Sequence, residues 1–446
     1  MSVTPICDFL EEYRRRGTSR LHMPGHKGRR AMSGVLWEEL PFSLDITEVA
    51  GADALFEAEG IIGRSESVAA GLYGTRHTCF SAGGSTLSIL AMTAAAKRRG
   101  GRLLAVRNAH VALIHACILL DWQPAWLCPE YDPSTGLARP VTAGEVAAAM
   151  DRDPGIRAVY LTSPDYFGRE ADVAAIAGEV HRRGAILLVD NAHGAHLRFL
   201  PRDRHPMTLG ADLCCDSAHK TLPALTGAGY LHSNLPGDKG ELKADMALFG
   251  STSPSYLILA SLDLCNAYLS GPAREEFAAL EARTAEWEDR FRREGAALLP
   301  GKTDPTKLTL DCQAMGYSHE EAAARLREQG VEPEYAGGGK IVLMLSPQTP
   351  EADLIRTQNA LLELPRKRPL PHTGSCPSPD PVMTLREAAF APWEEVPLAE
   401  SGGRVTAETR ITCPPAIPVI AAGERIGETE KNLLQNSGIF SIKVVK

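Results

Sequence analysis

From about residue 60 the chain alternates between two hydrophobic periods. Short runs of consecutive apolar residues, Leu103-Leu-Ala-Val106, Ala158-Val-Tyr-Leu161, Ala185-Ile-Leu-Leu-Val189 and Asp212-Leu-Cys-Cys215, are separated by longer stretches, Ser85 to Arg99 and Asp172 to Arg183, in which small and apolar residues suit a helix. The runs are too short for helices and too continuous for strands with one wet face, so they predict buried strands. Strands of this kind alternating with helices predict an α/β fold around a mostly parallel sheet covered on both faces. Ligands of such sheets sit at the carboxyl ends of the strands.

The flanks read differently. Thr4 as cap, Pro5 at the first helical position, apolar Ile6, Phe9, Leu10 and Tyr13 on one face and Gly17 as stop predict an N-terminal helix. Leu21-His-Met-Pro-Gly-His-Lys-Gly28 is too rich in Gly, Pro and His for a helix or central strand and predicts an ordered loop. Helices are expected over Pro254 to Leu269 and Arg274 to Arg293. A small α+β unit follows: strand Lys307 to Leu310, helix Ser318 to Gln329, strand Lys340 to Leu345 and helix Pro350 to Leu362. Five prolines between Pro365 and Pro379 exclude a helix there and read as a linker. The expected organisation is an arm and loop segment over 1–60, a large ligand-binding domain over 61–300, the small domain over 301–364, the linker over 365–380 and a last module over 381–446.

Composition narrows the function. In 446 residues, 44% hydrophobic and 23% charged, there is material for about three compact units. The net charge of −8 argues against a phosphate-rich polymer as the main partner. The first residues place acids and bases after a short apolar patch, the reverse of a signal peptide, and no apolar run approaches the ~20 residues that span a bilayer. The expectation is a soluble, cytoplasmic protein that binds neither nucleic acid nor membrane. Ten cysteines from Cys7 to Cys413, without a CxxC pair, read as reduced thiols.

Four segments at predicted strand ends or helix starts carry chemistry. Gly83-Gly84-Ser85-Thr86 opens a helix, where glycines admit close approach and amides, hydroxyls and the helix dipole favour phosphate; alone it is also an ordinary turn and cap. Asp190, directly after a buried strand in Val189-Asp-Asn-Ala-His-Gly-Ala-His196, needs a cationic or hydrogen-bonding partner, which a protonated ring nitrogen would supply; its bland reading is a turn cap. In Cys214-Cys-Asp-Ser-Ala-His-Lys-Thr-Leu-Pro223, Lys220 is confined between a histidine and a Pro-terminated turn, as an amine nucleophile would be, although a lone His-Lys pair is commonly surface loop. His110, in Arg107-Asn-Ala-His110, can lay its ring on a planar ligand or simply satisfy nearby backbone. Together, in this order on an α/β sheet, they supply a phosphate cradle, a stacking imidazole, an anion for a ring nitrogen and an imine-forming lysine, the parts that pyridoxal phosphate requires.

At this point the sequence resembles the Orn/Lys/Arg decarboxylase family, pyridoxal-phosphate enzymes of the aspartate-aminotransferase fold, over nearly its whole length. The resemblance rests on Leu21-His-Met-Pro-Gly-His-Lys27, Leu44-Asp-Ile-Thr-Glu48, Asp216 to Thr226, Ser251-Thr-Ser-Pro-Ser-Tyr-Leu257 with Ala260-Ser-Leu-Asp263, Arg386-Glu-Ala388, and Pro414-Pro-Ala-Ile-Pro418 with Gly423-Glu424. It implies that Lys220 forms the imine with the cofactor, Asp190 partners the pyridinium nitrogen, and His110 and Ala192 lie on opposite faces of the ring. By the same resemblance Gly84, Ser85, Thr86, Ser217 and His219 hold the phosphate, His193 lies at the cofactor, and the Ser251-Thr252 loop reaches a neighbouring subunit's site in a homodimer. No metal is implied. The implied reaction is decarboxylation of a basic amino acid, arginine ahead of lysine and ornithine, with Asp45, Glu48 and Glu424 as candidate acids for the cationic end of the substrate.

The chain departs from the family pattern at Val111-Ala112, Gly83-Gly84, Ser88-Ile89, Asn191 and Ala416. An aminotransferase or another lyase of the same fold, or an inactive paralogue, are the competing readings. A metal hydrolase built from His193, His196, His219 and the Cys214-Cys215 pair is a weaker one, because His-Gly-Ala-His lacks the i,i+4 spacing of a zinc helix and no general-base glutamate accompanies it.

Overall fold

The protein was analysed as a computed structural model, which describes residues 2–16, 41–365, 367–372, 379–412 and 417–446. The loop Leu21 to Gly28 and most of Pro414 to Pro418 lie outside them. The central feature is a seven-stranded sheet. In chain order, β1 is His77–Ser81, β2 Arg102–Val106 and β3 Ala125–Leu127; β4 (Tyr131–Asp132) and β5 (Leu137–Ala138) form a small hairpin apart from the sheet; β6 is Ile156–Thr162, β7 Ile186–Asp190, β8 Leu213–Asp216 and β9 Gly229–Ser233. The order across the sheet is β1-β9-β8-β7-β6-β2-β3. β2 is parallel to β3 and β6, and β7 to β8, whereas β9 is antiparallel to both of its neighbours. This is the mostly parallel α/β architecture that the apolar runs predict.

Four of these strands, β2, β6, β7 and β8, grow from the predicted runs with ends shifted by one or two residues. β1 and β9 do not announce themselves, because His77-Thr-Cys-Phe-Ser81 and Gly229-Tyr-Leu-His-Ser233 mix polar residues into strands that are nevertheless buried. The polar side chains are tolerated there because they are paired: Thr78 Oγ1 and His232 Nδ1 lie 2.9 Å apart across the β1–β9 pair.

The chain forms two compact units, one of residues 1–98 with 188–275, the other of residues 99–187 with 276–446. In the first, the helix Pro5–Arg16 buries Ile6, Leu10 and Tyr13. Thr4 is not what caps it. The first-turn amides of Ile6 and Cys7 donate to the carboxylate of Asp263, 3.0 Å away in each case and fully buried on the helix Tyr256–Ser270, and Ser65 Oγ donates to its other oxygen. A cap supplied from so far along the chain has no local signature.

In the second unit, β10 (Lys307–Asp311), β11 (Tyr335–Gly337) and β12 (Lys340–Met344) make an antiparallel sheet in the order β10-β12-β11, accompanied by the helices His319–Glu328 and Glu351–Leu362. Residues 367–372 carry no helix; Lys367 and Leu370 donate backbone hydrogen bonds to Met315 and Gln313 of this small α+β region. The C-terminal part pairs β13 (Trp393–Pro397) with β16 (Ser441–Val445) and β14 (Arg410–Thr412) with β15 (Ile417–Ile420), around a core of Leu398, Val419, Ile420, Ile426, Leu434, Ile442 and Val444. Among the described residues no helix is long and apolar enough to cross a membrane, and no disulfide is formed.

Candidate active site

The site is assembled at the strand ends of the first unit. The helix Gly84–Arg98 starts directly after β1, and its entry depends on two glycines. Gly84 has φ +63°, a left-handed backbone that side chains disfavour, and its amide donates to Gly227 O at 2.7 Å. At Gly229, the first residue of β9, a Cβ would stand 2.9 Å from Asp216 O and 2.9 Å from the carbonyl carbon of Gly84, so only glycine lets β8, β9 and the helix start converge. Ser81 Oγ donates to Gly84 O (2.7 Å) and accepts from Gly83 N (3.2 Å), which fixes the turn.

Around this helix start three predicted residues gather. Ser217 Oγ donates to Ser85 Oγ at 2.8 Å. His219 donates through Nδ1 to Ala228 O at 2.8 Å, which leaves Nε2 as the ring's acceptor; burial pushes its pKa below the ordinary histidine value, so the ring is neutral. Gly84 lies under the ring, where a Cβ would come within 3.8 Å of His219 Cε1. Thr86 is exposed on the first turn.

Lys220 is half-buried and its Nζ lies 3.0 Å from His193 Nε2. An ammonium offers only donors, so the histidine nitrogen accepts. Asp190 ends β7 and is buried. Its Oδ1 takes the amide of Ala192 at 3.1 Å and the thiol of Cys215 at 3.5 Å, the residue opposite it on β8. Cys215 is buried, as its strand position predicts, and burial pushes its thiol well above the ordinary range, so it reaches Asp190 as a neutral donor. Ser85, Ser217, His219, Lys220, His193, Ala192, Asp190 and Gly84 thus follow the ends of three strands, β1, β7 and β8, with β9 lying between β1 and β8. Ser251 and Thr252 are on an exposed loop, where Ser251 Oγ accepts from Ser253 N.

His110 belongs to the second unit, four residues beyond the end of β2. There it caps the helix Val111–Leu120, with Nδ1 accepting from Ala112 N at 3.1 Å. The same strand end carries a pair that sequence reasoning missed. Arg107 is buried and donates to Glu424 Oε2 at 2.8 Å, an oxygen that also takes Ala421 N, while the guanidinium lies over Trp126. Burial raises the Glu424 carboxyl and Arg107 opposes the rise. Glu424 is therefore committed within the fold, unlike the substrate-facing acid suggested for it above. Among the described residues, none of those considered for a metal hydrolase joins a cluster that could hold an ion. Among the described residues the group with that spacing is His205, Asp216 and His232.

With this geometry in place, comparison with known proteins decides the family. The pattern described as Orn/Lys/Arg decarboxylase, major domain, matches residues 4–299, and that of the Orn/Lys/Arg decarboxylase C-terminal domain matches residues 375–436. The chain belongs to the Orn/Lys/Arg decarboxylase family. It is similar to the arginine decarboxylase of Bacillus subtilis (strain 168), with 30% identity over 96% of this chain and 92% of the relative, and to that of Halalkalibacterium halodurans, with 29% identity over the same shares. Among solved structures it is similar in fold to the Francisella novicida lysine decarboxylase LdcF, at 18% identity and a TM-score of 0.82, over 99% of this chain and 81% of that one.

Members of this family use pyridoxal phosphate, and the residues present fit it. Two hydroxyls in contact, a left-handed glycine and a helix N-terminus form a cradle that a phosphate suits. Next to it stand a lysine with an acceptor for its proton and a buried carboxylate whose Oδ1 is already bonded on the protein side.

Proposed function

We propose that this family member decarboxylates a basic L-amino acid, with arginine the favoured substrate ahead of lysine and ornithine, and that Lys220 holds the cofactor. The observation that carries the reading is the 3.0 Å contact between Lys220 Nζ and His193 Nε2. A lysine must lose a proton before its amine can attack a carbonyl carbon, and an acceptor at that distance gives the proton a place to go. Arginine is favoured because full-length relatives at 29–30% identity carry the name arginine decarboxylase.

Pyridoxal phosphate, when bound, supplies an electron sink for the pair left behind as carbon dioxide departs. The protein's part is to hold and orient. Ser85, Thr86, Ser217 and the amides of Ser85 and Thr86 would hold the phosphate, with the helix dipole adding attraction, and His219 would join them once the phosphate charge draws a second proton onto Nε2; the Gly84 amide is taken by Gly227 O, so Gly84 contributes the turn and not a donor. Asp190 would keep a proton on the ring nitrogen, its Oδ1 anchored by Ala192 N and Cys215 Sγ so that the carboxylate cannot swing away. Ala192 would bound one face of the ring, the resemblance alone assigns the other face to His110, and the Ser251-Thr252 loop would reach the site of a second copy. In this reading residues 61–300 form the cofactor domain and 301–364 and 381–446 the domains that follow it, with no metal, nucleic acid or membrane involved.

The test is carbon dioxide release from arginine, lysine, ornithine and uncharged norleucine by the full chain loaded with pyridoxal 5′-phosphate. Release from arginine in clear preference is expected, and Lys220→Ala should abolish both turnover and the absorption of the bound cofactor. A keto acid product, or normal turnover by Lys220→Ala, overturns the reading.

A further inference from the structure

Asp216 is the last residue of β8, directly before Ser217, and it is fully buried. Its Oδ2 receives Nε2 of His205 at 3.0 Å and Nε2 of His232 at 3.2 Å; its Oδ1 receives Asn191 Nδ2 at 2.7 Å. Burial acts to raise this carboxyl, and the two histidines outweigh burial and hold it well below the usual carboxylate range. The far side of each imidazole is also engaged. Met207 N donates to His205 Nδ1 at 3.3 Å, and His232 Nδ1 meets Thr78 Oγ1. Tyr73 packs against both rings, with centroids 5.1 and 4.5 Å away.

The three ligand-type atoms lie within 4.8 Å of one another, a spacing that also suits a metal ion. The hydrogen placement argues against one. Because His205 Nδ1 accepts from an amide, its hydrogen is on Nε2, which points at the carboxylate and has no lone pair to give a metal. The set is a buried carboxylate held by hydrogen-bond donors from three other segments.

Two of those segments, the Asn191 turn and β9, adjoin the site. Asn191 begins the turn that presents Ala192 and His193, and it is tightly held: its backbone N donates to Cys215 O, and Gly194, whose amide donates to Asn191 O, leaves no room for a Cβ, which would fall 2.0 Å from Asn191 Oδ1. His232 lies on β9, which begins just after the Ala228 carbonyl that orients His219. Asp216 itself leads into Ser217, His219 and Lys220.

We propose that Asp216 is a positioning residue for the cofactor, tying the Asn191–His193 turn to the Ser217–Lys220 segment and thereby setting His193 against Lys220. The proposal rests on the reading of Lys220 and Asp190 given above. The two neighbouring strand ends also share backbone hydrogen bonds and the Cys215–Asp190 contact, which join residues paired in the sheet and so fix strand spacing but not the rotation of the turn beyond it. A buried carboxylate with four donors, Asn191, His205, His232 and the Cys214 thiol at 3.6 Å, fixes that rotation, because any twist of the turn leaves a buried charge short of the Asn191 donor.

The test is titration of the full-length apo chain with pyridoxal 5′-phosphate, read by the absorption of the bound cofactor and by its pH midpoint, for Asn191→Ala, Asp216→Asn and the double variant. Each single change is expected to weaken binding on the order of tenfold, the size of one charge-assisted hydrogen bond, and to move the midpoint. The double variant should be little worse than the poorer single one, because both cut the same link. Asn191→Ala leaves the carboxylate with both histidines, so it decides the matter if Asp216→Asn fails to fold. Binding and midpoint like the unsubstituted chain, a lower melting temperature alone, or losses that multiply in the double variant each overturn the proposal. An unsubstituted chain that takes up no pyridoxal 5′-phosphate overturns instead the reading on which it rests.

Discussion

Asp190 illustrates how a single side chain divides its work. One oxygen is fastened by an amide and a thiol, and it is that fastening which makes the carboxylate a fixed charge rather than a mobile one. Asp190→Asn keeps the shape and removes the charge, so it should fold normally and lose about 3 kcal/mol of transition-state stabilisation, on the order of other losses of preorganised charge; single-turnover carbon dioxide release beside a thermal melt checks this. His232 gives a pH-dependent counterpart. Burial lowers its pKa in the folded chain, opposed by Asp216, so below the ordinary histidine value near 6.5 the unfolded chain binds the extra proton and the folded chain resists it. The neutral ring's contribution is therefore whole above that pH and is lost progressively as pH falls through it. The melting-temperature advantage of the unsubstituted apo chain over His232→Gln should shrink between pH 7.5 and 5.5, and calorimetry at the two values would show it; an advantage that grew on acidification would contradict the argument. At this scale Lys220, Ser217, His219 and Asp190 were legible in the sequence because each sits in a short motif at a predicted strand end. His205 and His232 were not. They meet Asp216 from 11 and 16 positions away in chain order, a distance at which no periodicity links one residue to another.

Elements were legible where they are continuous in character. β2, β6, β7 and β8 contain the apolar runs, and Asp172 and Ser318 cap helices with side chains that accept from amides three residues on. β1 and β9 escaped because a strand can bury Thr, Ser and His once each is paired, and pairing is not written in a strand's own residues. The N-terminal helix was placed correctly but its cap was not, since the carboxylate that serves it lies on another helix. The link between β2 and the C-terminal part is of the same kind. Arg107 and Glu424 are both about 5% exposed and form an ion pair inside the second unit. Glu424→Ala strands a buried guanidinium and should cost roughly 3–5 kcal/mol. Replacing both residues with methionine should recover most of that loss, since removing a whole buried pair is far cheaper than removing half of it. Chemical denaturation of the three chains measures it, and equal losses in the single and double variants would show that the ion pair is not the source.

At the scale of the whole molecule, the resemblance of Ser251-Thr-Ser-Pro-Ser-Tyr256 to the segment by which the family reaches a neighbouring subunit's site, on a loop that is exposed here, leads us to expect a homodimer as the working unit. Sedimentation of the loaded enzyme at assay concentration should show a dimer or an assembly of dimers, and a fully active monomer would refute this. The division of the chain into units has a further consequence, which concerns time. The first unit is interrupted: residues 1–98 are completed by 188–275, and among the described residues β1 pairs in the sheet with β9, at residues 229–233. On a ribosome, which delivers the chain from the N-terminus, the opening segment must wait through the whole of residues 99–187 before its edge is paired. The Gly84 turn cannot close before then, because the carbonyl it needs belongs to Gly227. The phosphate cradle is therefore among the later features of the first unit to form, and a chain stalled short of β9 would present the cell with an unpaired strand edge and no site for its cofactor.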